Sequence, residues 1–213
     1  MNATLPRLAR PLAAALLLLA GLSALAAPVE GVNYKALKPG VPTSVAPGKV
    51  EVVEVFWYAC GHCYLLEPRI EAWERKGKPA NVELVRMPAV WNDLLKLHAR
   101  LFYTIEVLGK PQLQGEVFRE INVRGNRLDT PEKIEAFMVS RGVSKTDFQK
   151  TFSGFAVESK LARAVDLNKR YRIASTPTVI VNGKYVTDVG MAGGEDALFE
   201  LINTLAARER PAS

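Results

Sequence analysis

The chain has 213 residues, 48% of them apolar, with 28 basic and 22 acidic side chains and a net charge of +6. The bases are interspersed with acids, as in Glu71-Ala72-Trp73-Glu74-Arg75-Lys76, which describes a solvated mixed surface and argues against a nucleic-acid face. Two cysteines in the whole chain also exclude a multiply cross-linked scaffold.

Residues 1–26 have the form of a cleaved export signal. Arg7 and Arg10 precede an apolar core from Leu12 to Ala20, and Ala24-Leu25-Ala26 supplies a small-x-small cleavage site. The core is shorter than the ~20 residues of a membrane span. No Arg-Arg pair precedes it and no cysteine sits at the cleavage point, so a plain secretory signal is expected. Its removal lowers the net charge to +4. No later stretch is apolar for long enough to cross a membrane.

Asn33 to Leu37 reads as a short edge strand ending in the turn Lys38-Pro39-Gly40, followed by a loop from Val41 to Gly48. Val50 to Tyr58 is the strongest strand, apolar on both faces as in the middle of a sheet. From Gly61 to Lys76 the spacing becomes helical, with Leu65, Leu66, Ile70 and Trp73 on the expected core face and Pro68 as a kink point. Val82 to Met87 is a second strand, completing a βαβ unit. A long helical block follows. Leu94, Leu97, Leu101, Ile105 and Leu108 form one face, ended by Gly109, and further helices are expected over 111–121, 132–140, 144–152 and 157–171. Thr130-Pro131 and Ser144 with Asp147 mark helix starts. Strand pattern resumes at Thr178–Val181, turns through two residues at Asn182-Gly183 and returns over Lys184–Asp188. After Gly190, Gly193 and Gly194, a last helix carries Ala197, Leu198, Leu201, Ile202 and Leu205 inward.

The two cysteines stand in Cys60-Gly61-His62-Cys63, at the junction of the central strand and its helix. A four-residue loop constrains the unfolded chain little, so the pair is a poor staple. Redox chemistry or metal binding remain. A helix start favours thiolate, which makes Cys60 the candidate exposed nucleophile and Cys63, one turn deeper, its resolving partner. His62 between them offers a donor or a positive charge toward the Cys60 thiolate. Glu54 lies in a strand covered on both sides, where its carboxyl should be raised in pKa and could accept a proton near Cys63; an edge position or a salt-bridge partner is the alternative. Glu67, one turn beyond Cys63, could share that role or stand exposed. Ser175-Thr176-Pro177-Thr178 enters the third main strand, where a proline suits a cis bond or an edge position, an ordinary trans proline being the alternative.

Taken together, the strand–Cys60-Gly61-His62-Cys63–helix unit, Thr176-Pro177 before the hairpin and the all-helical insert resemble thioredoxin-fold proteins of the DsbA type, which are periplasmic thiol:disulfide interchange proteins. Val53 to Ala59 ahead of Cys60 and Tyr64-x-x-Glu67-Pro68 after Cys63 are similar to that family's surroundings, as is the acid at Glu54. The resemblance covers essentially the whole mature chain. It implies an α/β chain with a thioredoxin fold and an inserted all-helical domain: a signal peptide over 1–26, thioredoxin-like parts over 27–90 and 166–213, and the helical insertion over 91–165. It further implies that Cys60 forms mixed disulfides with unfolded secreted proteins and that Cys63 resolves them. Pro177 is expected to be cis beside the disulfide, with the Thr176 backbone pairing with substrate peptide. The redox-active disulfide Cys60–Cys63 stands in place of any cofactor or metal. A membrane quinone-linked partner of the DsbB type is expected to reoxidise a monomeric protein.

Two positions depart from the best-studied family pattern. Gly61 stands where that form has proline, and Gly-His is the dipeptide of eukaryotic disulfide isomerases, which leaves oxidising strength open. No lysine matches the one that accompanies the buried acids; Asn81 falls near its place. An isomerase or reductase of the same fold is the alternative, although the roughly 20 residues before the central strand leave no room for the N-terminal dimerisation domain of exported isomerases. A metallochaperone using Cys60, Cys63 and His62 or His98 is a further one, but a closed zinc site takes four ligands and no second cysteine pair exists. His98 is expected at the surface or the core edge. Trp57, Tyr58 and Tyr64 are candidates for an apolar surface around the disulfide.

Overall fold

The computed structural model describes residues 27–209, so the signal peptide expected over 1–26 lies outside the described residues. In chain order the elements are β1 (Lys35–Ala36), β2 (Val50–Phe56), α1 (Gly61–Lys76), β3 (Val82–Pro88) and α2 (Asp93–Val107). Then come α3 (Leu113–Asn122), α4 (Pro131–Ser140), α5 (Lys145–Phe152), α6 (Phe155–Arg170), β4 (Thr178–Val181), β5 (Tyr185–Thr187), α7 (Val189–Ala192) and α8 (Glu195–Arg208). The strands form one sheet in the order β1-β5-β4-β2-β3, with β2 parallel to β3 and antiparallel to β4.

All seven residues of β2 are buried, because both sheet faces are covered. Val50 and Val52 pack with Leu66, Ile70 and Trp73 of α1 and Leu198, Leu201, Ile202 and Leu205 of α8. Val53 and Val55 face the other way, into a core built with Leu101 and Ile105 of α2, Val117 of α3, Ile134 of α4 and Val157 of α6. Each such aliphatic side chain contributes about 1.5–3 kcal/mol on full burial. Parallel pairing sets Phe56 opposite Pro88, so the ends of β2 and β3 and the start of α1 lie at one end of the sheet. No helix among the described residues is long and apolar enough to cross a membrane.

Several expectations require correction. Leu65 is 63% exposed, because Glu67 takes its place on the buried face of α1 with Cys63, Leu66, Ile70 and Trp73. In α2 the expected Leu101 and Ile105 are buried, joined by Leu95, His98, Ala99 and Phe102, whereas Leu94, Leu97 and Leu108 are only half-buried. The hairpin turn is not a two-residue one. Asn182 and Gly183 do take positive φ, and Lys184 N–H bonds Val181 O at 3.0 Å, but Val181 pairs with Tyr185. The reason lies in the neighbouring loop: Gly183 O and Lys184 O accept from Val41 and Leu37, which draws Lys184 out of the ladder. The helix α7 interrupts what looked like a glycine-marked exit, capped by the Asp188 carboxylate on Met191 N–H. The helix expected over 157–171 is met by α6, Phe155–Arg170.

Gly183 is fixed twice over, by φ +63° and by Val41 O, which occupies the space a Cβ would take. Gly109 has a similar φ of +65° but open space around it. Gly183→Ala is therefore expected to cost about 2–3 kcal/mol, and Gly109→Ala about 1 kcal/mol, in denaturant unfolding.

Candidate active site

Cys60 is the N-cap of α1, with extended backbone (φ −87°, ψ 111°). Its sulfur accepts from Cys63 N–H at 3.4 Å, filling the place of a capping oxygen. No acid occupies the first turn of α1 to repel negative charge there. Both cysteines are free thiols in this structure. A hydrogen bond from the Cys63 thiol, aided by Thr176 and the backbone amides of Cys63 and His62, lowers the Cys60 thiol from 9.0 to about 5 against the opposing effect of burial. Cys63 is fully buried. Its thiol is pushed far up, first by sharing its hydrogen bond with Cys60 and then by burial. One turn of helix thus separates a sulfur that ionises readily from one that keeps its proton.

Thr176-Pro177 is a cis peptide, as is Lys38-Pro39, which sequence did not single out. Thr176 O lies 3.4 Å from Cys60 Sγ, across 116 residues of chain. His62 is exposed, and it is the His62 backbone that acts on the Cys60 sulfur. Its side chain lines a cleft of about 220 Å³ with Leu66, Thr176, Pro177, Asp188 and Glu195.

Glu54 is 1% exposed, on the α1 face of β2. Neither carboxylate oxygen has a hydrogen-bond partner, and only Arg86 Nε comes near, at 3.7 Å. Burial raises its pKa to about 7 against the pull of Arg86. Glu67 is buried too, correcting the alternative of an exposed helix carboxylate, and Arg86 Nη1 bonds its Oε1 at 2.5 Å. Its pKa is raised, again mainly by burial. No hydrogen bond joins Glu54 to Cys63.

Arg86 is the residue that sequence reasoning missed. The cation beside the buried acids is not near Asn81, whose carbonyl accepts from Val50 at the opposite end of β2. Parallel register places Arg86 directly beside Glu54, and a lone base in Val82–Pro88 was the signal available. Tyr58 is 1% exposed and so belongs to the core and not to a substrate-facing surface; Trp57 and Tyr64 are half-buried against that core. Leu65 of α1 and Trp91, between β3 and α2, are exposed apolar side chains, at 63% and 48%. His98 corrects a further expectation: it is 1% exposed and hydrogen-bonded through both ring nitrogens. Among the described residues, no three His, Cys, Asp or Glu side chains gather as a metal-binding group.

The chain as a whole has counterparts among known proteins. A family model described as a DSBA-like thioredoxin domain matches residues 84–206. The chain belongs to the DsbA family. The thiol:disulfide interchange protein DsbA of Pseudomonas syringae pv. tomato is 42% identical over 196 residues, covering 91% of each chain. That of Pseudomonas aeruginosa is 38% identical over 204 residues, covering 93% of this chain and 96% of the relative. The crystal structure of Pseudomonas aeruginosa DsbA superposes with a TM-score of 0.79 at 39% identity, over 84% of this chain and 93% of its own. The DsbA oxidoreductase from Xylella fastidiosa gives 0.79 at 29% identity, over 87% and 99%. This DsbA-family chain has the thioredoxin fold with a helical insertion and is a thiol:disulfide oxidoreductase.

Two outcomes are expected. Thiolate absorbance near 240 nm should rise with a midpoint of about 5 in the reduced protein, and Cys63→Ala should move that midpoint upward by removing the largest stabilising contact. Glu54 titrates higher folded than unfolded, so its penalty is absent below about 4.5 and grows as pH rises to about 7. The plateau is roughly 3 kcal/mol. Glu54→Gln should therefore gain stability over the native protein across that window in urea titrations.

Proposed function

We propose that this protein is an exported dithiol oxidase that donates a Cys60–Cys63 disulfide to folding secreted proteins. The observation that carries the reading is the contrast between the two sulfurs: Cys60 at the α1 N-cap, favoured as thiolate, and Cys63 buried and held protonated. In the oxidised protein a substrate thiolate attacks Cys60 Sγ, and Cys63 departs, taking up a proton. Glu54, whose carboxyl titrates near neutrality, is the group we assign to hold that proton. Its exchange with Cys63 needs no metal or cofactor. The second substrate thiolate then attacks its own neighbour's sulfur in the mixed disulfide, closing the substrate disulfide and releasing the Cys60 thiolate. Two electrons pass from substrate to protein. The easy departure of Cys60 favours this direction.

The carbonyl of Thr176 accepts from the Cys60 thiol at 3.4 Å, a bond that oxidation of Cys60 removes, which supports backbone pairing of that carbonyl with a substrate peptide laid beside Pro177. Leu65 and Trp91 suit the apolar segments that an unfolded chain exposes. His62 lines the cleft in which the flanking residue of such a peptide would lie. Glu67 and Arg86 support Glu54. We assign reoxidation to a membrane quinone-linked enzyme of the DsbB type, and residence to the periplasm by way of the leader over 1–26. Metal carriage finds less support, because His98 commits both ring nitrogens within the core.

Cys60→Ala is expected to abolish oxidation of a reduced substrate protein, whereas Cys63→Ala, offered a disulfide-bearing substrate protein, should accumulate mixed disulfides visible on non-reducing gels, its Cys60 thiolate displacing one substrate thiolate with no Cys63 to release the adduct. An absence of adducts would reverse the assigned roles. The Cys60 thiolate stabilises the reduced fold fully above the unfolded thiol's value, and that contribution is lost as pH falls through about 5. At pH 7 the reduced protein should therefore outlast the oxidised one in denaturant, and the gap should close by pH 5. Greater stability when oxidised would contradict a strong oxidant.

A further inference from the structure

Trp57 is the hinge between β2 and the redox turn. Its carbonyl accepts the Cys60 N–H at 3.0 Å, and its backbone amide counts among the groups that favour a thiolate at Cys63. Its indole N–H leaves the thioredoxin-like part altogether and donates to Nδ1 of His98 in α2, at 2.9 Å. The far nitrogen of His98 lies 3.1 Å from Arg127 O, in the loop between α3 and α4. An indole can only donate, so Nδ1 must accept and the ring proton must sit on Nε2, directed at the carbonyl. A neutral imidazole satisfies both partners. An imidazolium would set N–H against N–H and break the bond to Trp57.

The surroundings favour the neutral ring. His98 is 1% exposed, with the Tyr58 ring 6.3 Å away and the Trp57 ring 6.2 Å away. Burial is the main cause that lowers its pKa; Arg127 acts in the same direction, and Asp129 and the carbonyls of Arg127 and Leu128 oppose it. Tyr58 is the other titratable side chain packed against it, and burial keeps its hydroxyl neutral. A buried histidine in a helix is ordinarily packing alone. What distinguishes this one is that, among the described residues, its side-chain hydrogen-bond partner is the residue whose carbonyl holds the Cys60 N–H.

We infer that His98 is a positioning residue for the redox pair: its neutral ring anchors Trp57 to the helical insertion, fixes the turn that presents Cys60 Sγ to the α1 amides, and releases it on protonation. The inference rests on the thiol-exchange reading of Cys60 and Cys63 and adds a pH-dependent strut from the insertion to that site.

The test is thiolate titration of purified reduced full-length variants at 240 nm. His98→Leu and Trp57→Phe should each raise the Cys60 midpoint by about half a unit to one unit, the size expected for one hydrogen bond. The double variant should shift no further than either single one. His98→Asn, whose Oδ1 can stand in for Nδ1, should restore the midpoint to about 5. In a Cys60→Ser background, tryptophan fluorescence should show a step below pH 6.5 that Trp57→Phe abolishes. Variants that lose thermal stability but keep the native midpoint would assign His98 to packing and overturn the inference. A native protein with no thiolate titrating in the acid range would instead remove the thiol-exchange reading itself, and the strut with it.

Discussion

The contact between Cys60 Sγ and the Cys63 amide is the one on which the site depends. It makes a sulfur serve as a helix cap, so the same four residues that start α1 also set the reactivity of the nucleophile. A capping group must sit at the helix end, and the helix end is where β2 delivers it. The buried, two-faced strand fixes that point in space. Parallel pairing with β3 then brings a second strand end alongside, and antiparallel β4 brings Thr176 within reach of the sulfur. Chemistry and fold share one constraint.

Beneath the sulfurs lies an arrangement that makes poor sense as a stabilising device. Two buried carboxyls share one arginine, and the one nearer the centre of β2 has no hydrogen bond at all. Replacing such a group by an apolar or amide side chain would ordinarily be neutral or favourable. Its retention in an otherwise well-packed core is intelligible if a proton must be held there near neutral pH, a state that burial creates and Arg86 moderates.

Much of this was legible in the chain. The apolar run through Val50, the cysteine spacing and the helical start at Gly61 follow from local pattern, as do the caps Thr130 and Ser144, which bond Lys133 N–H and Asp147 N–H as expected. What escaped was decided across the fold. Arg86 becomes significant only through the strand register that sets it beside Glu54. His98 looked peripheral because a histidine on a leucine-rich helix gives no sign of its partner 41 residues earlier. Leu65 and Glu67 exchanged places for a related reason: helical period marks a face, but it cannot say that a buried ion pair will claim a position ahead of a leucine. The hairpin turn kept its dihedral signature while a neighbouring loop altered its register.

Gly61 adds a last consequence. It occupies the first position of α1, and a side-chain carbon added there would meet no atom within 4 Å. That position welcomes proline in helices generally. Position 61 is therefore uncoupled from the core: it can take a side chain without repacking anything behind it. A side chain can thus be introduced beside the nucleophile at little cost in stability.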